Sequence, residues 1–522
     1  MRRNKENIEQ QRCLLQIELD NHKSQAQRNR MGQFATPTLL AQDVLAYGLS
    51  LLPVGEAVRF LDPAIGTGSF YSALLETANG RTIKSATGFE IDPHYAEPAK
   101  ALWRDTPLDI TVADFTRLSA PKENAKRANL LISNPPYVRH HHLTGEDKER
   151  LQQAATTVAS MKLSGLAGLY CYFLALSHAW MSEGGVAGWL IPSEFMDVNY
   201  GKAIKAYLLR EVTLLHIHRF DPNDVQFDDA LVSSAVVWFK KEKPPSGHAV
   251  RFSYGGTMQA PAISKNIVVE DLERAGKWTR FPRLQVEAKH DGYRLGDLFA
   301  IKRGLATGDN GFFILEEEKA RSLNLPPEFL TPILPSSRHL KADEITADTN
   351  GVPLLEKRLF LVDCDRPPEE VALDYPALWS YLQTGIETVA PRYLCKNRRV
   401  WYAQERRPAA PIICTYIGRS DHDGRPFRFL LNNSKATATN VYLMLYPNPI
   451  LARQLEEDPT RLRRIWKALN AIDRETLLGN GRVYGGGMHK LEPKELANVP
   501  ADDLAMAAGL ITKPSLAQPE LA

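Results

Sequence analysis

Between residues 58 and 239, short runs of β-branched and aliphatic residues alternate with stretches of helical spacing. The runs are 58–61, 86–89, 110–112, 130–132, 186–191, 214–217 and 234–239. Strands alternating with helices bury both faces of a sheet, so this pattern predicts an α/β fold with a parallel, doubly wound, Rossmann-like sheet. One helical stretch, 169–181, repeats Leu169, Tyr172, Phe173, Leu176 and Trp180 on one face, which predicts core packing for its aromatics.

The loops that follow the first four runs carry chemistry. Phe60-Leu61-Asp62-Pro63-Ala64-Ile65-Gly66-Thr67-Gly68-Ser69-Phe70 reads as a strand, a glycine loop and a helix start. Gly66 and Gly68 let the backbone approach a ligand, and the helix start offers free N–H groups. Glu90 ends the next strand, at the spacing where such sheets place an acid on ribose hydroxyls. Asp114-Phe115 ends the third, an acceptor for a purine amine beside a stacking ring. The fourth ends in Asn134-Pro135-Pro136-Tyr137. Two prolines stop the strand and stiffen the loop, aiming the Asn134 side-chain oxygen and the Pro135 carbonyl at one point. Both are acceptors suited to an NH₂ group, and Tyr137 offers a π-face for a planar group.

Asp62 to Phe70, Glu90, Asp114-Phe115 and Asn134 to Tyr137 together resemble the S-adenosylmethionine-dependent amino-methyltransferases. The earlier segment Gly32-Gln33-Phe34-Ala35-Thr36-Pro37 resembles the N-terminal cofactor motif of the gamma-class adenine-N6 DNA methyltransferases, with a long recognition region following. The resemblance implies a class I methyltransferase domain at 32–245, preceded by a basic helical arm at 1–31. An α+β target-recognition, DNA-binding domain would occupy 250–522. It implies that Thr36, Pro37, Asp62, Ala64, Gly66, Gly68, Glu90, Asp114 and Phe115 hold S-adenosylmethionine. Asn134, Pro135 and Tyr137 would grip a flipped adenine, with Phe227 on its other face, although a core Phe in a turn explains Phe227 equally simply. Double-stranded DNA is the implied partner, together with a cognate restriction endonuclease, for a monomeric enzyme. Rival readings are an amino-methyltransferase acting on RNA adenine or protein glutamine, and a recognition subunit of a larger defence complex.

The rest of the chain adds weaker constraints. Lys240 to Gly247 is charged and then rich in Pro, Gly and Ser, which predicts a linker there. Residues 1–30 carry seven basic side chains (Arg2, Arg3, Lys5, Arg12, Lys23, Arg28 and Arg30) against four acids. A solvated helix and a DNA-contacting or packing arm both fit this. Within 392–407, Arg392, Lys396, Arg398, Arg399, Arg406 and Arg407 interleave with aromatics, suiting phosphate contact, or else simply a solvated face. His140-His141-His142 reads as a DNA-facing loop rather than a metal site. Basic and acidic residues nearly cancel, 64 against 61, so any DNA surface is a local patch. Five scattered cysteines, no C-x-x-C pair and no long apolar run predict a reduced, cytoplasmic protein without a membrane span.

Overall fold

The computed structural model describes residues 2–221, 234–282, 292–419, 427–484 and 488–511. The chain divides into two compact units, the first containing the described residues through 282 and the second most of those from 292 onward.

Unit one begins with three helices: α1 (Arg2–Asn21), α2 (Gln25–Met31) and α3 (Thr38–Leu51). Ser24 and Gln27 close a reciprocal capping box at the start of α2, satisfying two donors that a helix start leaves open. β1 (Val58–Asp62), α4 (Ser69–Thr77), β2 (Ile83–Glu90), α5 (Pro93–Trp103), β3 (Leu108–Val112) and β4 (Ala128–Ser133) then alternate. They are followed by α6 (Gly145–Ala159), α7 (Leu169–Ser177), β5 (Met181–Pro192), α8 (Gly201–Arg210), β6 (Thr213–Arg219) and β7 (Ser234–Lys240). β8 (Ala249–Gly256), β9 (Pro261–Val268) and α9 (Val269–Arg274) complete the unit.

All seven expected runs are strands of one sheet, in the order β3-β2-β1-β4-β5-β7-β6-β8-β9. β1 to β5 pair in parallel, and β7 enters antiparallel between β5 and β6. The Rossmann-like α/β expectation is met. Successive strand residues face opposite sides, so Leu130 packs with α3 and α4 while Leu131 packs with α6 to α8. β4 is buried throughout, as a central parallel strand requires.

Two expectations change. The Pro-Gly-Ser stretch after Lys240 is a turn within the sheet rather than an inter-domain linker. β8 pairs in parallel with β6, and β9 antiparallel with β8, so unit one runs about forty residues further than 245. In the helix expected over 169–181, α7 ends at Ser177 and a 3₁₀ turn, His178–Trp180, follows, leaving Trp180 half-buried at its edge.

Unit two is α+β. Its strands are β10 (Phe299–Arg303), β11 (Ile314–Glu316), β12 (Leu330–Ile333), β13 (Glu344–Ile345) and β14 (Leu359–Val362). β15 (Ile412–Thr415), β16 (Ile417–Arg419), β17 (Phe429–Asn432), β18 (Tyr442–Pro447), β19 (Arg482–Tyr484) and β20 (Met488–Lys490) follow. They form a five-stranded sheet, β10-β18-β15-β17-β13, and two three-stranded sheets, β11-β14-β12 and β16-β20-β19. The helix Arg461–Ala471 packs Ile465 and Leu469 into the core built on β15, β17 and β18.

Candidate functional site

The loops after β1 to β4 open on a cavity of about 260 Å³, the place where open α/β sheets take ligands. Pro63, Ala64 and Gly66 line it from the β1 loop, Glu90 from the end of β2, Asp114 and Phe115 from after β3, and Asn134 and Pro136 from after β4.

Asp62 stands behind this wall. Its Oδ1 accepts the Ala64 N–H and the Ser133 hydroxyl, each at 3.0 Å, tying the glycine loop to β4. Burial raises its carboxyl to about 7, against the pull of those two hydrogen bonds. Gly68 also acts from outside the lining. Its φ is +93°, and a Cβ there would lie 2.6 Å from the Trp103 Nε1, which donates to the Thr67 carbonyl at 2.8 Å. Only glycine meets both conditions.

Glu90 accepts N–H groups from Gly66 (3.1 Å) and Asp92 (2.9 Å), while burial pushes its carboxyl upward. Asp114 uses Oδ1 to accept the Thr116 N–H at 2.9 Å, and its Oδ2 pairs with Arg117 Nε at 3.2 Å. Phe115 packs in an aromatic floor, 5.7 Å from Phe89 and 5.3 Å from Phe173 between ring centroids.

The Asn134 side chain is aimed by the segment 32–36. Its Nδ2 donates to the Phe34 carbonyl and to the Thr36 hydroxyl, both at 3.1 Å. The Asn134 Oδ1 is buried and has no hydrogen-bond partner. Gly32 seats this contact: it ends α2 at φ +66°, and a Cβ would fall 2.4 Å from the Tyr137 nitrogen. Thr36 is thus a buried support for Asn134 outside the cavity lining, and Pro37 is the exposed N-cap of α3. Pro135 and Tyr137 also lie outside the lining. Tyr137 donates its hydroxyl to the Leu190 carbonyl at 3.0 Å, and its ring sits 5.9 Å from Phe34. Phe227 lies outside the described residues.

Sequence reasoning missed one wall. Gln16 and Asp20 of α1 line the cavity, although 1–31 reads as a charged arm. Arg12, counted among that arm's basic side chains, is buried at 3% exposure and pairs with Glu9 at 2.7 Å. A charge is buried only with partners, and that pairing across one helical turn was the available signal.

In unit two, the basic run is largely committed to the fold. The Arg398 guanidinium donates to the carbonyls of Ala306 (3.0 Å) and Thr307 (2.9 Å) and lies over the Phe313 ring. These contacts commit its half-buried guanidinium to the fold. Arg392 pairs with Asp309, Arg406 with Asp365 and Arg407 with Glu405, and Arg399 donates to the Asp365 carbonyl. Lys396 is exposed.

A Rossmann-like sheet with an acceptor-bearing Asn-Pro-Pro-Tyr loop beside a ligand cavity defines an α/β methyltransferase domain. The fold is shared with the solved structure of the type IIL restriction-modification enzyme MmeI in complex with DNA. That match has TM-score 0.51 and 12% identity, covering 98% of this chain and 76% of that one. The family description "Eco57I restriction-modification methylase" matches residues 84–226, and "Type II methyltransferase M.Eco57I, C-terminal domain" matches 283–513. The chain is 27% identical to the type II methyltransferase M.XamI of Xanthomonas campestris pv. amaranthicola over 474 residues, 90% of this chain and 84% of that protein. It is also 27% identical to M.AccI of Acinetobacter calcoaceticus over 500 residues, 92% and 87% respectively. Over most of its length the chain is thus similar to the type II DNA methyltransferases of restriction-modification systems.

Proposed function

We propose that this chain transfers a methyl group from S-adenosylmethionine to the N6 amine of an adenine turned out of double-stranded DNA, as the modification enzyme of a restriction-modification system. One observation carries the reading: the Asn134 Oδ1 is buried without a partner while its amide nitrogen is held on two acceptors. Leaving such an acceptor open costs about 1–3 kcal/mol, and an N–H donor on a ligand removes that cost. An exocyclic amine is such a donor. Its lone pair is delocalised into the ring, and hydrogen bonds to Asn134 Oδ1 and the Pro135 carbonyl would favour a pyramidal nitrogen with a localised lone pair. Rate then comes from positioning and electrostatics, and no enzyme thiol is needed.

The cavity residues fit the cofactor. Glu90 is an acceptor for ribose hydroxyls, Asp114 for a purine amine, and the aromatic floor under Phe115 for an adenine face. The backbone of Ala64 and Gly66 supports its methionine end. When bound, S-adenosylmethionine supplies an electrophilic methyl group on a sulfonium. A base stacked in a duplex does not reach a loop amide, so the adenine is flipped, with Tyr137 and Phe227 as its stacking partners. Unit two reads the target sequence. Phosphate contacts fall to Lys396, to the exposed Arg392, Arg399 and Arg406, and to the half-buried Arg407. The enzyme works as a monomer in the cytoplasm, alongside a cognate endonuclease.

Nucleoside mass spectrometry tests this directly. The protein, S-adenosylmethionine and unmethylated genomic DNA should yield N6-methyladenine, and Asn134→Ala should remove it while cofactor affinity stays within about twofold. N4-methylcytosine instead would keep the amine-gripping site and overturn the base. Wild-type turnover in the variant, or no methylated base with the wild type, would refute the proposal.

A further inference from the structure

The cofactor motifs of the sequence begin at residue 32, yet the cavity is walled on one side by α1. Three sets of contacts hold that helix down. Arg12 Nη1 donates to the hydroxyls of Thr67 (3.2 Å) and Ser69 (3.0 Å), gripping the glycine loop from the outside. Its other nitrogens form a two-pronged pair with Glu9, Nε and Nη2 each at 2.7 Å. Thr67 donates its hydroxyl to the Gln16 Oε1 at 2.7 Å. Two turns along from Arg12, the Leu19 carbonyl meets His94 Nε2 at 2.9 Å, and Tyr95 donates its hydroxyl to the Asp20 Oδ1 at 2.7 Å. Since α5 starts directly after Glu90, these last contacts put Asp20 beside the end of the cavity that Glu90 lines.

Gln16 and Asp20 are one turn apart and joined by a 3.0 Å hydrogen bond from Gln16 Nε2 to Asp20 Oδ1. The network leaves each with capacity. Gln16 Nε2 carries a second hydrogen, and Asp20 Oδ2, with Arg28 no closer than 3.6 Å, retains lone pairs. A donor next to an acceptor on a cavity wall is the complement of a vicinal diol, whose hydroxyls both give and accept.

We propose that Asp20 and Gln16 are cofactor-binding residues that hold the ribose hydroxyls of S-adenosylmethionine together with Glu90, making α1 part of the cofactor site. This rests on the function proposed above. It assigns the ribose end to two carboxylates, of which only Glu90 belongs to the strand-end pattern.

The test is calorimetric binding to the full-length protein, without DNA or turnover. The probes are S-adenosylmethionine and 5′-methylthioadenosine, which keeps adenine and ribose but lacks the amino-acid end. Asp20→Ala should weaken both about tenfold, the loss expected for a hydrogen bond to a charged acceptor, and Gln16→Ala should weaken both by less. His94→Ala removes a contact that anchors α1 without touching the lining. It controls for a merely loosened helix and should leave both affinities within about twofold, even if unliganded melting drops as far as for Asp20→Ala. Three results overturn the assignment: Asp20→Ala binding like wild type, Asp20→Ala weakening S-adenosylmethionine but not methylthioadenosine, or His94→Ala losing as much as Asp20→Ala. If the wild type binds neither probe, the proposed function falls as well.

Discussion

Asp62 provides a test of the site's architecture that needs no substrate. Its carboxyl ends β1, wholly buried, and is raised from 3.8 to about 7. Burial is the largest cause, the Glu90 charge adds to it, and the Ala64 N–H and Ser133 hydroxyl pull the other way. Because the folded-state pKa exceeds the unfolded one, the fold binds this proton more tightly than the unfolded chain does. Stability from this group is therefore full below about pH 4 and is lost as pH rises toward about 7. A rise of that size is worth about 4 kcal/mol, lost at up to about 1.4 kcal/mol per pH unit. Asp62→Asn keeps an oxygen for both donors and removes the titration. Urea unfolding at several pH values between about 5 and 8, followed by hydrogen exchange of β1 and β4 peptides, isolates the effect as the difference between the two proteins. The wild type should lose stability relative to the variant through pH 5 to 7 and run parallel to it above. Parallel curves across the whole range would refute the argument, and so would a wild type that gains on the variant with rising pH.

Three further outcomes follow from the geometry. Thr36→Val removes one of two acceptors on the Asn134 amide, so kcat should fall about ten- to a hundredfold with cofactor affinity unchanged, and Thr36→Ser should restore it. A raised KM for S-adenosylmethionine with unchanged kcat would place Thr36 on the cofactor instead. Gly32→Ala forces a side chain onto the Tyr137 nitrogen at a positive φ, so the urea midpoint should fall by the equivalent of about 2 kcal/mol, with loss of methylation. A stable, active variant would mean that 32–36 is not seated on the catalytic loop. Arg398→Ala strips donors from two carbonyls and should lower the melting temperature while the salt dependence of DNA binding holds, whereas Lys396→Ala should flatten that slope. A flattened slope at unchanged melting in Arg398→Ala would return that side chain to the DNA surface.

What the sequence disclosed divides by physical range. The first seven strands of unit one were legible because each carries a short run of β-branched or aliphatic residues between helical stretches, the pattern that a sheet covered on both faces imposes. The strand-end residues were legible because topology fixes their order. Contacts between distant segments left no local trace: Thr36 meets Asn134 across 98 residues, and Arg12 meets Thr67 across 55. Burial of Arg12 had only Glu9 one turn before it as a local sign, a pairing that solvated helices carry as well. The end of unit one was misjudged because a Pro-Gly-Ser turn looks the same between two strands as between two domains. In unit two the strands run from two to six residues, too short for alternation to declare itself.

The hydrogen bond from Asn134 to the Phe34 carbonyl has an evolutionary consequence. Half of the clamp that orients the Asn134 amide is a main-chain atom, which no point substitution deletes. Position 34 is thereby free to drift in side chain while the amide keeps its heading. The other half hangs on a hydroxyl and leaves position 36 only threonine or serine to inherit.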